Sequence, residues 1–144
     1  ITWGVLGGFG LFIALIFIAG LWEATVSPEA LEQQTAASEE IFAAFSGSLL
    51  MGFLLAVSAG VGEEILFRGA LQPVFGILLS SLFFSVLHLQ YALTPASVII
   101  FGVSLGFAWL RYRYSTTAAI IAHLVYNFIP FLLFAFASSM PETL

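Results

Sequence analysis

Glu63, Glu64 and Arg68 interrupt sequence that is otherwise uncharged, with no acidic or basic residue from Phe42 to Gly62 or from Gly69 to Leu110. A charge at the centre of a bilayer costs about 2.5–3.5 kcal/mol on insertion scales, so ionisable groups at that depth face a protein interior or a wet cavity and carry function. The surrounding runs leave little choice of solvent. Hydrophobic residues make up 61% of the chain and charged residues 8%, against about 25% charged in a soluble domain. The expected fold is an all-α, polytopic membrane helix bundle of about five spans in this stretch. A membrane barrel is excluded, because its strands alternate apolar and polar residues and these runs are apolar on all sides.

The first span is read at residues 1–22 and stops at Glu23. Residues 23–40 form a polar, acidic loop or interfacial helix. Within it, Ser27-Pro28-Glu29 reads as N-cap, first-turn proline and first-turn acid, and Ser38-Glu39-Glu40 as a second helix start. Residues 41–137 form a core of about four spans, and 138–144 a polar tail. In the core, the second span runs from about Ile41 to Leu71 and a tight turn is expected at Gln72-Pro73 and Gly76. The third span covers about Ile77 to Tyr91 and the fourth about Ala96 to Leu110. Arg111-Tyr112-Arg113 forms a loop, and the fifth span runs from about Thr116 to Phe136, kinked at Pro130. The positive-inside rule places the Arg111–Arg113 loop in the cytoplasm. Trp3, Trp22 and Trp109, near span ends, read as interface anchors. Gly102 and Gly106 read as a small-residue pair for close helix packing. Without Cys there is no disulfide, thiol nucleophile or Cys-ligated zinc. Without a basic patch there is no nucleic-acid partner. The chain begins inside a hydrophobic run without Met, so it reads as a piece of a longer protein.

Polar residues in the core recur at helical spacing. Glu64 and Arg68 are four apart and are expected to pair as a structural ion pair. His123 and Asn127 share a helix face, as do Phe84 and His88. Phe84 alone reads as packing, Asn127 alone as helix glue, and a lone membrane His as a hydrogen bond to a neighbouring helix. Glu63 is different, because the position four residues on is Phe67, and an unpaired buried acid asks for a function. At about 1.5 Å per residue, Glu63, His88 and His123 all lie roughly 15–18 Å from the cytoplasmic side. Three segments thus bring a carboxylate and two imidazoles to one level.

Glu63-Glu64-x-x-x-Arg68, Phe84-x-x-x-His88 and His123-x-x-x-Asn127, in this order on successive segments, resemble the signatures of the CPBP family, also called the ABI or type II CAAX-prenyl-protease family. Phe67-Arg68-Gly69-Ala70-Leu71-Gln72 is similar to the family's extension of its first motif, and the resemblance covers roughly Gly60 to Phe134. Members usually carry more spans than are counted here, and those helices are expected outside this stretch. The connection after Gln72 is also shorter than is common.

The resemblance implies an intramembrane endopeptidase of the CAAX-protease type, with its site within the membrane near the cytoplasmic side. By analogy Glu63 is the general base, His88 helps hold the attacking water, and His123 and Asn127 donate to the oxyanion. Glu64 and Arg68 are supporting residues. The family is often described as metalloprotease, and Glu63, His88 and His123 are acceptable zinc ligands. The preferred reading has no cofactor and no metal, with zinc kept as the alternative. A non-catalytic membrane scaffold, of the kind associated with bacteriocin immunity, and a proton or metal-ion carrier stay open as other classes. The partners implied are the lipid bilayer and a membrane-associated peptide or protein substrate, whose prenylation stays open. The expected location is a bacterial cytoplasmic membrane.

Overall fold

A computed structural model describes residues 1–29, 31–32, 35–36, 48–88 and 95–139. The expected helix start at Ser38-Glu39-Glu40, residues 41–47 of the second span and most of the 138–144 tail lie outside the described residues. The described chain is helical: α1 (Thr2–Glu23), α2 (Leu49–Glu64), a π-helical turn (Ile65–Leu71), α3 (Gln72–Leu87), α4 (Pro95–Arg113) and α5 (Thr116–Ser139). Thr2–Glu23, Leu49–Leu87 and Thr116–Ala137 are each long and apolar enough to cross a membrane.

The connection after α1 begins as its residue types dictate. The Leu31 N–H bonds the Ser27 carbonyl at 3.1 Å. The Glu29 backbone N–H and then the Ser27 side chain hold the Glu29 carboxyl below its ordinary range.

The Leu49–Leu87 stretch is not one straight rod. Phe67 and Phe84 would lie about 25 Å apart along a straight helix, yet their ring centroids are 5.0 Å apart. The chain reverses at Gly76, whose φ of 76° and ψ of 178° break the helix inside α3. A side chain at such a φ is strained, so glycine belongs there. This corrects the expected turn: Gln72 and Pro73 are helical, and the reversal is confined to Gly76. The returning leg carries the third span as far as Leu87, and residues 89–91 of the expected span to Tyr91 lie outside the described residues. Its helix ends at Leu87, roughly 16 Å from Ile77, well short of a ~30 Å hydrocarbon core. His88 is the C-cap residue of this helix. Arg111-Tyr112-Arg113, expected as a loop, forms the last turn of α4, where cations face the negative end of the helix dipole. Pro130 lies within a continuous α5.

Small residues set the packing, as is usual where lipid tails are as apolar as the helices. On α2 the buried residues are Gly52, Ala56, Gly60 and Glu64, one every four positions. A Cβ at Gly60 would lie 3.1 Å from the Leu124 backbone nitrogen, so α2 crosses α5 almost backbone to backbone. On α1 the matching pair is Gly4 and Gly8, whose added Cβ atoms would lie 2.8 Å from the Ala118 carbonyl and 2.6 Å from the Ala122 carbonyl. The expected pair on α4 is corrected accordingly. Gly106 does abut Leu11 of α1, but Gly102 has nothing within 4 Å. The buried residue between them is Ser104. Serines join the returning leg of α3 to α4, with Ser85 Oγ donating to the Ser97 carbonyl at 2.8 Å. At the Arg113 end, Trp3 stacks on Tyr114 at 5.1 Å and Arg113 lies 5.3 Å over the same ring.

Gly8→Leu should lower the thermal midpoint of purified protein by an amount corresponding to about 1–3 kcal/mol, the usual effect of overpacking. Gly10→Leu, where a Cβ meets nothing within 4 Å, is the control and should leave it unchanged. Equal midpoints for the two variants would show that α1 does not dock on α5 through this face.

Candidate active site

The four-residue row on α2 ends in Glu64, and the close α2–α5 crossing delivers that carboxylate to His123. His123 Nδ1 and Glu64 Oε1 are 2.9 Å apart. Glu64 Oε2 lies 3.2 Å from Arg68 Nε, both side chains being fully buried. The two atoms are in ion-pair contact without the alignment of a hydrogen bond. Arg68 Nη2 donates at 2.9 Å to both the carbonyl and the hydroxyl of Ser104. The guanidinium carbon sits 4.8 Å from the Phe84 ring centroid, with Phe67 and Phe107 slightly farther. The buried cation is thus held by one carboxylate, one serine and aromatic faces, while its Nε and Nη1 make no hydrogen bond among the described residues. Gln72, one turn beyond Arg68, donates to the Ala108 carbonyl at 3.0 Å.

Glu63, on the neighbouring helix face, points elsewhere. Its Oε2 lies 3.9 Å from His88 Nε2 and 4.0 Å from His123 Nε2. That oxygen is buried and makes no hydrogen bond among the described residues, although the Glu63 side chain as a whole is 34% exposed. His88 is 24% exposed and His123 5%, so the site opens on the Glu63–His88 side and His123 forms its back wall. Phe107 stacks on His123 with centroids 4.6 Å apart, and Phe84 packs against His88 at 4.4 Å.

The hydrogen bonds assign the ring nitrogens. His88 Nδ1 is 2.7 Å from the Phe84 carbonyl, which only accepts, so Nδ1 carries the hydrogen. His123 Nδ1 faces a carboxylate paired with Arg68 and donates likewise. Both Nε2 atoms are thereby directed at Glu63 Oε2. Of the residues expected at the site, Glu63, His88 and His123 come together from α2, the end of α3 and α5. Asn127 is half-buried one turn beyond His123 on α5, and no hydrogen bond joins it to the other three among the described residues. Phe84, read from sequence as packing, is buried against Arg68 and both imidazoles.

The separations bear on what the site can hold. A tetrahedral zinc with ~2.0–2.1 Å bonds to N and O brings its ligand atoms to roughly 3.3 Å of one another. The observed 3.9 and 4.0 Å are wider, and no group of three or more His or Glu residues capable of holding a metal occurs among the described residues. An oxygen about 2.8 Å from Glu63 Oε2 and from either Nε2 atom subtends an angle near 90° between them.

Sequence reasoning missed four residues that support the site: Gln72, Ser104, Phe107 and Arg111. Gln72 continues the four-residue row of Glu64 and Arg68 and was legible in that spacing. Ser104 and Arg111 bond backbone carbonyls, and Phe107 acts by stacking, none of which leaves a sequence pattern.

Arg68→Met should lower stability by about 3–5 kcal/mol, the cost of stranding a buried partner charge, measured by the thermal midpoint. A variant as stable as wild type but inactive would place Arg68 in the chemistry instead.

A family model described as Type II CAAX prenyl endopeptidase Rce1-like matches residues 45–129, more than half of the chain. No curated protein and no solved structure matches it.

Proposed function

The chain belongs to the type II CAAX prenyl endopeptidase Rce1-like family, and we propose that it hydrolyses a peptide bond with a water molecule activated by Glu63. Family membership implies a protease acting on a protein substrate, and the long apolar helices mark an integral membrane protein. The observation that carries the finer reading is Glu63 Oε2, a buried oxygen with no hydrogen bond, set between two imidazole Nε2 atoms whose other nitrogens are already committed. A buried polar atom without a hydrogen-bond partner calls for an explanation, and a bound water or a catalytic role are among those it admits.

Hydrogen-bond counting assigns the roles. Glu63 Oε2 and two neutral Nε2 atoms are three acceptors, and a water has two hydrogens. One of the three must therefore carry a proton. The proposed donor is His123, whose Nδ1–H already meets the Glu64 carboxylate. As the imidazolium it donates Nε2–H to the water oxygen, while the water hydrogens go to Glu63 and His88. Glu63 then takes a proton as the water oxygen bonds the scissile carbonyl carbon. His123 Nε2–H and the Asn127 amide stabilise the oxyanion. When the C–N bond breaks, Glu63 returns the proton to the leaving nitrogen, giving a carboxylic acid, which keeps the second water hydrogen, and an amine.

No step in this scheme uses a metal. The proposed substrate is a membrane-associated peptide reaching the site from its Glu63–His88 side, near the cytoplasmic face of the membrane. Prenylation of that peptide is a variable of the test.

Glu63→Gln keeps the shape and cannot accept the proton. Cleavage of a matched pair of prenylated and unprenylated peptides by chelator-treated protein should fall at least ~10²-fold in this variant, with the thermal midpoint kept or raised. Equal cleavage by wild type and variant would remove Glu63 as the base. Activity lost on chelation and regained with zinc would favour the metal version. A cellular phenotype that survives in Glu63→Gln, without cleavage by either protein, would favour the scaffold.

A further inference from the structure

The backbone carbonyl of Arg68 ties the candidate site to the Arg111 end of the bundle. In the π turn each carbonyl takes an N–H five residues on, and the Gln72 N–H bonds the Phe67 carbonyl accordingly. The next pair in that register is the Arg68 carbonyl with residue 73. Residue 73 is proline and has no N–H. Arg68 is fully buried, and a buried polar group left without a partner is destabilising. Arg111, at the end of α4, supplies the missing donor, its Nε–H meeting the Arg68 carbonyl at 3.0 Å. The same Arg68 makes the ion pair with Glu64, and Glu64 takes the His123 Nδ1–H.

We infer that Arg111 is a positioning residue for the site, replacing the N–H that Pro73 lacks and holding the π turn in the register that sets Glu64 against His123. The inference rests on reading Glu63, His88 and His123 as the peptidase centre. A topogenic arginine at a membrane interface acts only through its charge. It would be indifferent to what stands at position 73, and lysine would replace it fully. A register lock depends on position 73, because the demand for the bond originates there.

The experiment compares wild type, Arg111→Met, Arg111→Lys, Pro73→Ala and the double variant Pro73→Ala/Arg111→Met, each as the full chain in detergent. The first readout is the ¹⁵N signal of the His123 ring nitrogens, which reports the Nδ1–H to Glu64 bond whether or not the protein cleaves anything. The second is peptide cleavage, resolved into kcat and KM. Arg111→Met should move the His123 Nδ1 signal toward that of a ring freed from the Glu64 bond and lower kcat on the order of 10- to 100-fold, the scale of a small misplacement at a reacting centre. Arg111→Lys should recover only part of this. The double variant, with an N–H restored at position 73, should return both readouts towards wild type, and Pro73→Ala alone should keep the wild-type His123 signal.

A double variant no better than Arg111→Met, an unshifted His123 signal in Arg111→Met, or full rescue by lysine would each overturn the inference. If Arg111→Met does not accumulate, recovery of folded protein in the double variant supports the lock, and failure of both overturns it. Signals that move as described in a protein that cleaves no peptide would sustain the lock while removing the peptidase reading.

Discussion

A carboxylate shut away from water stays charged only if its surroundings supply positive or donating groups, and Glu64 receives them from two directions. Arg68 approaches one oxygen and His123 Nδ1 the other. Everything nearer the chemistry hangs from this arrangement. It turns Nδ1 of His123 to Glu64, and so Nε2 to Glu63. It also divides two adjacent acids by role: Glu64 is inaccessible, with one oxygen on His123 Nδ1 and the other in ion-pair contact with Arg68, whereas Glu63 keeps one oxygen free between the imidazoles. Breaking a buried pair typically costs about 3–5 kcal/mol, so the same contacts that orient the site hold α2 and α5 together.

The backbone makes room for these contacts in two ways. Small residues every fourth position let α2 and α5 approach until a carboxylate can reach an imidazole across the gap. The π turn then widens the helix just where Arg68 must reach Ser104 and sit against Phe84. Single π turns recur at functional sites in α-helices. Here the turn is followed by Pro73, and Gly76 reverses the chain within a few residues. The returning leg therefore brings His88 back to the depth of Glu63 and ends there. The early end of that helix leaves the Phe84 carbonyl accepting the His88 ring hydrogen, which aims Nε2 inward.

Much of this was legible in the residues. Charges in lipid-like sequence marked Glu63, Glu64 and Arg68, and equal depth on three segments drew Glu63, His88 and His123 to one level. Other features were not legible, for definite reasons. A π turn has no sequence signature of its own, so ordinary helical spacing was assumed through Phe67. Pro73 reads as a helix breaker because proline lacks a donor, yet Arg111 supplies that donor from a distant segment. Gly102 and Gly106 have the spacing of a packing pair, but which glycines meet a neighbour depends on helix rotation, and of these two Gly106 meets Leu11 while Gly102 meets nothing within 4 Å. The second partner of Glu64 was missed because a local pair with Arg68 already explained its burial.

The central claim is that Glu63 Oε2 and the two Nε2 atoms hold a water molecule. The direct test is a crystal structure of the protein from a membrane-lipid medium, with anomalous data collected at the zinc edge. The account predicts a peak about 2.8 Å from all three atoms without anomalous signal. An anomalous peak at about 2.0–2.1 Å from the two nitrogens, with the three groups drawn closer together, would contradict it.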